Sequence, residues 1–242
     1  MHRFFVPPQC IHGSTVLLGE PTAHQIRNVL RMRPGAVIVV LDNQGWEYEV
    51  ELAEIEKNQA RGQVIEKRPA AGEPTVQVTL YQCLLKKDNF EWVLQKGTEI
   101  GVSRFVPVIS QRTVAADGER VKSSKLARWE RIITEAAEQS HRGRLPVLEE
   151  PVSFEQALAG AARSDLALIP WEKESSQTLR AVLRDAVAHV VLFIGSEGGF
   201  ADDEITLARQ HGVIPVTLGP RILRAETAAI AAALLVLYEL DG

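Results

Sequence analysis

The chain has 242 residues, 45% of them apolar and 24% charged, enough for one large globular domain or two modest ones and unlike a disordered or collagen-like polymer. Cys10 and Cys83 stand far apart without C-x-x-C or histidine-spaced partners. This argues against a zinc site or a disulfide framework and for reduced, buried thiols in a cytoplasmic protein.

The net charge of −4 conceals a division along the chain. Residues 84–146 carry 12 basic and 8 acidic side chains, whereas residues 147–242 carry 7 and 14. A basic middle inside an acidic protein either faces phosphate or is a solvated mixed surface. The opening MHRFFVPP has too little apolar length before its prolines for a secretory signal.

Residues 1–70 predict a small β-rich unit. HRFFV, TVLL, AVIVVLD, WEYEVELAEI and ARGQVIEK have strand-like composition, and Asp42-Asn43-Gln44-Gly45 is a turn between two of them. Between them, Thr22 to Arg33 predicts a helix with Ile26, Val29 and Leu30 on an apolar face and Arg27 and Arg31 on a basic one. Arg3, Arg27, Arg31 and Arg33 are opposed only by Glu20 within residues 1–33. They form either a basic edge or solvated arginines around a core helix. Pro69 to Pro74 reads as a linker, giving domains of residues 1–70 and 74–242.

The second part alternates strand and helix patterns, the signature of a mostly parallel α/β sheet. VQVTLYQCLL is a strand, and Asp88 caps a helix carrying Phe90, Val93, Leu94 and Gly97 and ending near Gly101. RFVPVIS is the next strand, and Ala115 to Lys125 reads as a mobile loop. A helix from Leu126 to Ser140 has Trp129, Ile132, Ile133, Ala136 and Ala137 as its apolar stripe. Helices at residues 153–161 and 175–187 flank a strand from Asp165 to Pro170. VVLFIG, a helix in FADDEITLARQHG, the strand VIPVTLG and a final helix AETAAIAAALLVLYEL complete the chain. That last helix is apolar nearly all round, yet its run from Ala228 to Tyr238 has 11 residues, well short of the roughly 18–20 that span a bilayer.

Ligands of parallel sheets gather beyond the carboxyl ends of strands, so Leu168 to Glu172, Gly195 to Gly199 and Leu218 to Leu223 are expected to line one crevice. Gly195, Gly198 and Gly199 do not fit G-x-G-x-x-G, and Glu197, Asp202, Asp203 and Glu204 would repel a pyrophosphate. The last three also suit ordinary capping of a helix N-terminus. A ligand with little negative charge, or with a positive centre, fits such a turn. Ile222 and Leu223 lie between Arg221 and Arg224 in a loop, where apolar side chains need cover from an aromatic ligand or neighbouring loops.

GSEGGF at residues 195–200 and LGPRILRAETAA at residues 218–229 resemble the last two motifs of the SPOUT methyltransferases. HRFFV with AHQIRNVLRMRPG, KKDNFEWVLQKGTEIGVSRFVPVISQRT, and EAAEQSHRGRLP are similar to the RsmE branch of that superfamily. The resemblance implies an α/β SPOUT-type sheet with a C-terminal trefoil knot, plus a PUA-like N-terminal β-barrel that binds RNA. It implies methylation of a uridine at N3 in 16S rRNA, with S-adenosyl-L-methionine as donor and no metal, by a homodimer joined through the last helix.

Carried onto this chain, the donor site comprises Leu168, Pro170, Glu172, Ile194, Gly195, Glu197, Gly199, Leu218, Gly219, Ile222, Leu223 and Thr227. Arg224 is the candidate for orienting the uridine or a phosphate, because its planar fork suits either. Glu226 is a candidate for assisting deprotonation or, equally, a carboxylate that favours the first helical turn; Glu197 is a weaker second candidate. Candidate RNA contacts are Arg3, Arg27, Arg31, Lys86, Lys87, Lys96, Arg112, His141, Arg142 and Arg144. The rival readings are a non-catalytic RNA-binding or ribosome-assembly module and a nucleotide-dependent oxidoreductase with an atypical glycine loop.

Overall fold

The computed structural model describes residues 1–113, 121–183 and 187–241. The chain divides into two compact units, Met1–Glu73 with Ala137–Leu145, and Pro74–Ala136 with Pro146–Gly242.

The first unit holds β1 (Arg3–Phe5), β2 (Ile11–His12), β3 (Thr15–Leu18), α1 (Thr22–His24), β4 (Val37–Leu41), β5 (Trp46–Ile55) and β6 (Ala60–Pro69). The sheet order is β1-β4-β5-β6-β3-β2, parallel only between β1 and β4. Alternation in β5 sends Tyr48, Val50 and Leu52 into a core shared with Phe4, Val16, Ile38 and Val40. Asp42 builds the turn before β5. Its carboxylate accepts from the backbone of Gln44 (2.7 Å) and Trp46 (3.1 Å) and from the Tyr48 hydroxyl (3.2 Å).

The helix expected over Thr22 to Arg33 is shorter and wider. α1 passes at Gln25–Val29 into a π-turn, closed by Leu30 N–H donating to the Gln25 carbonyl at 2.9 Å. Arg31 then turns left-handed, with φ 52°. The wider turn breaks the 3.6-residue register, so Ile26 is buried while Val29 stands 65% exposed. Ile26 and Leu30 still pack on the core and Arg27 and Arg31 are exposed, but Val29 leaves the apolar face expected for it.

The second unit is built on β7 (Gln77–Cys83), α2 (Asn89–Ile100), β8 (Arg104–Ile109), α3 (Ser123–Gln139), β9 (Val147–Leu148), β10 (Val152–Ser153), α4 (Phe154–Ala161), β11 (Leu166–Pro170), α5 (Leu179–Val182), β12 (His189–Ile194), α6 (Asp202–Gln210), β13 (Ile214–Val216) and α7 (Ala225–Leu240). Every strand pair is parallel, in the order β10-β8-β7-β12-β11-β13 with β9 also beside β8. Both faces are covered, which is why these strands read as continuous apolar runs. In β12, Val190, Leu192 and Ile194 pack into one core with residues of α2, α3 and α7, while Val191 and Phe193 pack into the other with residues of α4 and α6.

Three expectations change here. Among the described residues of 175–187 only the four-residue α5 is helical, because Glu174 captures the preceding backbone in a turn; residues 184–186 lie outside the described segments. α3 begins at Ser123, so the expected loop ends early, and its residues 115–120 are outside the described segments. Asp88 precedes α2 but makes no side-chain capping bond; its carboxylate lies 4.0 Å from Arg128.

α7 buries Ala229, Ala232, Ala233, Val236 and Leu237, and its opposite side exposes Leu234, Leu235 and Tyr238. Cys83 is fully buried, and burial pushes its thiol up to about 12, so it is an inert core residue. Cys10 is also unpaired but only half-buried, on a short segment at the rim of the first core. Among the described residues no helix is long and apolar enough to cross a membrane, and no metal-binding cluster occurs.

Candidate active site

Four adjacent parallel strands, β7, β12, β11 and β13, end on the same edge of the sheet, and the turns leaving them define the site. The turn after β12, Gly195 to Gly199, is the most constrained. Its Ser196 carbonyl accepts from Gly199 N–H at 2.9 Å, and Gly199 has φ 67°, where a side chain is strained. A Cβ on Gly195 would stand 3.1 Å from the Gly199 backbone, tighter than ordinary van der Waals contact.

Neighbouring segments clamp this turn from several sides. Gln82, wholly buried near the end of β7, donates its amide to the Gly195 carbonyl at 3.2 Å and to the Cys83 carbonyl at 2.9 Å. The Lys86 N–H donates to the Glu197 carboxylate at 2.9 Å. After β8, the Ser196 hydroxyl donates to the Arg112 carbonyl at 2.9 Å, and the Arg112 guanidinium donates to the Gly198 carbonyl at 2.9 Å.

The acidic start of α6 extends the clamp. Buried Glu204 accepts from Ala201 N–H (2.8 Å) and from Gln111 N–H (3.0 Å). Asp203 accepts from the Gln111 amide at 2.7 Å, and that bond, the first cause, holds its carboxyl below the usual range. These carboxylates both satisfy helix N–H groups and fasten one turn to the next.

β11 delivers Trp171 and Glu172. Trp171 N–H donates to the Val216 carbonyl at 3.0 Å, and both Glu172 carboxylate oxygens lie 3.5 Å from where a Gly199 Cβ would stand. Glu174 then accepts from the Ser176 hydroxyl and the backbone of Ser175, Ser176 and Gln177. Those bonds, led by the hydroxyl, hold its carboxyl down at about 2.

The turn after β13 is the open member. Thr217 N–H donates to the Gln177 carbonyl at 2.8 Å, and the Thr217 hydroxyl pairs with Gly219. Beyond that, residues 220–223 make no hydrogen bond to another element among the described residues. Ile222 is 87% exposed and Leu223 half-buried, so the chain alone does not supply the cover that two apolar side chains in a loop require. Arg224 is exposed at the start of α7, Glu226 is half-buried in its first turn, and Thr227 is exposed.

The structure brings Pro170, Glu172, Gly195, Glu197, Gly199, Leu218, Gly219, Ile222 and Leu223 to the ends or turns of neighbouring strands. Leu168 and Ile194 are corrections for their side chains alone: these are buried in the core between sheet and helices, which leaves only their backbone to face a crevice.

Among the expected RNA contacts, Arg3 and Arg142 are also corrections. Arg3 lies beneath the first unit's surface, bound to Glu47 at 2.6 Å, and Glu47 takes Arg68 at the same distance. Burial works to raise the Glu47 carboxyl, but the Arg68 and Arg3 bonds outweigh it and hold it low. Arg142 is 3% exposed and forks onto Glu73 at 2.9 and 2.7 Å. Both are structural cations. In the first unit, Arg27, Arg31, His141 and Arg144 are exposed; in the second, Lys86, Lys87 and Arg112 are exposed and Lys96 pairs with Glu99 at 2.7 Å.

Sequence reasoning overlooked Gln82, Ser196, Gln111 and Glu174, which shape the turns. The available signal was Gln82 itself, an amide inside the mostly apolar run VTLYQCLL.

Two family models match the chain: an RNA methyltransferase PUA domain at residues 18–65 and an RNA methyltransferase domain at residues 72–237. A ribosomal RNA small subunit methyltransferase E from Synechocystis is 37% identical, covering 96% of this chain and 75% of its own length. The protein of that name from Bacillus subtilis is 30% identical over 100% and 98%. The crystal structure of another, from Neisseria gonorrhoeae and bound to S-adenosyl methionine, superimposes with a TM-score of 0.90 at 31% identity, covering 99% of this chain and 98% of that one.

Proposed function

This chain belongs to the ribosomal RNA small subunit methyltransferase E family, and from that premise we propose that it methylates 16S ribosomal RNA at N3 of a uridine, with S-adenosyl-L-methionine as donor. The observation that carries the reading is the pairing of a rigid glycine turn with an open apolar loop at the ends of adjacent strands. The residues suit this donor. The turn from Gly195 to Gly199 carries the carboxylate of Glu197, with Asp202, Asp203 and Glu204 just beyond it, and the Arg112 guanidinium beside it is engaged by the Gly198 carbonyl, which fits a positive centre better than a pyrophosphate. Leu218, Ile222 and Leu223 offer apolar cover to a ring, and Glu172 and Glu197 supply negative charge.

When bound, S-adenosyl-L-methionine supplies an electrophilic methyl group on a sulfonium. The protein's task is to place a nitrogen in line with that group and to remove its proton. Arg224 holds the uridine or its phosphate through the guanidinium, and Glu226, at the base of the same loop, takes up the N3 proton. A uridine must leave its stack to reach such a crevice, which favours a single-stranded or loop segment of the RNA. Arg27, Arg31, Lys86, Lys87, Lys96, Arg112, His141 and Arg144 hold the phosphates around it.

The same reading makes the chain a cytoplasmic homodimer, with the segment after β12 threaded as a trefoil knot. The apolar side of α7 supports the dimer, since Leu234, Leu235 and Tyr238 form a stripe that a monomer leaves wet. Light scattering after size exclusion should give a dimer; a species at 26.7 kDa would refute it.

The decisive test is transfer of a labelled methyl group to naked 16S RNA and to small ribosomal subunits from cells lacking the protein, with the modified nucleotide mapped. N3-methyluridine at one position is expected. Donor binding without transfer to either substrate would favour a non-catalytic RNA-binding module.

A further inference from the structure

We propose that the open end of the β5–β6 hairpin in the first unit, beside the turn between β4 and β5, is a stacking site for an unpaired base of RNA, built from Trp46, Lys67 and Arg144. Trp46 opens β5 and is 41% exposed, although an indole is normally drawn into a core. It is rigidly mounted. Its backbone N–H donates to the Asp42 carboxylate, and its register partner is Pro69 on β6. The Lys67 ammonium lies 4.4 Å from the centre of the indole and 5.3 Å from that of the Tyr48 ring, so a cation is held against the aromatic surface.

Arg144 comes to the same place from the loop after α3. Its Nη2 lies 3.2 Å from where a Cβ on Gly45 would stand, one residue before Trp46. The loop is fixed there by Glu73, which accepts from the Arg142 guanidinium and from Gly143 and Arg144 N–H, and by Asn43, which accepts from Leu145 N–H at 2.8 Å.

Charge decides the occupant. The carboxylates near this end of the hairpin are committed: Asp42 to its turn, Glu47 to Arg3 and Arg68, Glu49 and Glu66 to Arg68, and Glu73 to Arg142. Lys67 and Arg144 have no carboxylate partner among the described residues. An exposed indole with one uncommitted cation against its ring and another beside the preceding residue suits a base stacked on the ring with its phosphates nearby, which is how single strands are held without regard to sequence. A duplex, whose bases are already stacked, gains nothing from the indole.

The inference rests on the RNA substrate proposed above, and its test separates the two. Trp46→Ala, Trp46→Phe and Arg144→Ala are compared with the unaltered chain for affinity to single-stranded and duplex oligoribonucleotides, donor affinity, and KM and kcat on 16S RNA. Trp46→Ala should weaken single-strand binding about tenfold and raise KM similarly, with kcat and donor affinity within twofold. Trp46→Phe should recover most of the loss, and duplex binding should hardly change.

Cross-linking of 4-thiouridine RNA to the unaltered chain provides a check that needs no variant, with the Gln44–Arg68 segment as the expected adduct. An active enzyme whose Trp46→Ala form binds single strands normally, or whose cross-links all lie elsewhere, overturns the stacking site. An unaltered chain that transfers no methyl group defeats the earlier reading instead, while single-strand affinity still reports on Trp46.

Discussion

The turns after β12 and β13 leave neighbouring positions at one sheet edge, yet they are built in opposite ways. Gly195 to Gly199 is held by Gln82, Lys86 and Arg112, from two other strand ends. Gly219 to Leu223 is tied only near its root, through Thr217, and leaves Ile222 almost bare. The first turn has its shape before any ligand arrives, so its ordering cost is met during folding. The second has unsatisfied apolar surface, and its ordering is left to whatever covers it. One site thus combines a fixed wall and an adaptable one.

The largest effect should come from the base of the open loop. Arg224→Ala is expected to lower kcat/KM on 16S RNA about a hundredfold, while donor affinity by calorimetry and Tm stay unchanged, because the side chain is exposed. A matching loss of donor affinity would mean that both walls serve the donor and that the contrast between them is false.

The fixed wall should respond differently, losing stability together with binding. Gly195→Val puts a branched side chain against the Gly199 backbone, 3.1 Å from the first added carbon, and overpacking of this kind costs about 2 kcal/mol. Donor affinity should fall roughly thirtyfold with a measurable drop in Tm. Ile222→Ser sharpens the comparison from the open side. It should weaken the donor about fivefold and leave Tm alone, since the side chain is 87% exposed before binding.

The smallest effect concerns pH. Glu174 titrates at about 2, below its ordinary 4.5, because the Ser176 hydroxyl and the backbone N–H groups favour its charged form. A depressed carboxyl stabilises the fold above its ordinary value and loses that contribution as pH falls through about 2. Hydrogen exchange at Ser175 to Gln177 should therefore remain slow, relative to intrinsic rates, at pH 4 and lose protection only near pH 2. Loss of protection near pH 4.5 would show that the carboxylate does not organise this turn.

Much of the second unit was legible in the residues. Apolar runs such as VVLFIG mark strands covered on both faces, and the expected crevice segments do occupy adjacent strand ends. The motifs GSEGGF and LGPRILRAETAA fall on the turns that leave β12 and β13. What pattern reading missed was polar and local. Arg3 and Arg142 looked like surface cations because their partners Glu47 and Glu73 are 44 and 69 residues away. Val29 was misplaced because a π-turn shifts the helical register without any signal in composition.

The sequence by itself determined where the strands run, that the sheet is parallel, and which family the motifs resemble, because periodicity and short motifs depend on neighbours along the chain. Only the tertiary structure decided which turn is rigid, which cations are committed, and which apolar side chains stay bare. Those properties depend on contacts across tens of residues, and a hydrogen bond or a buried ion pair forms only where folding brings donor and acceptor within about 3 Å.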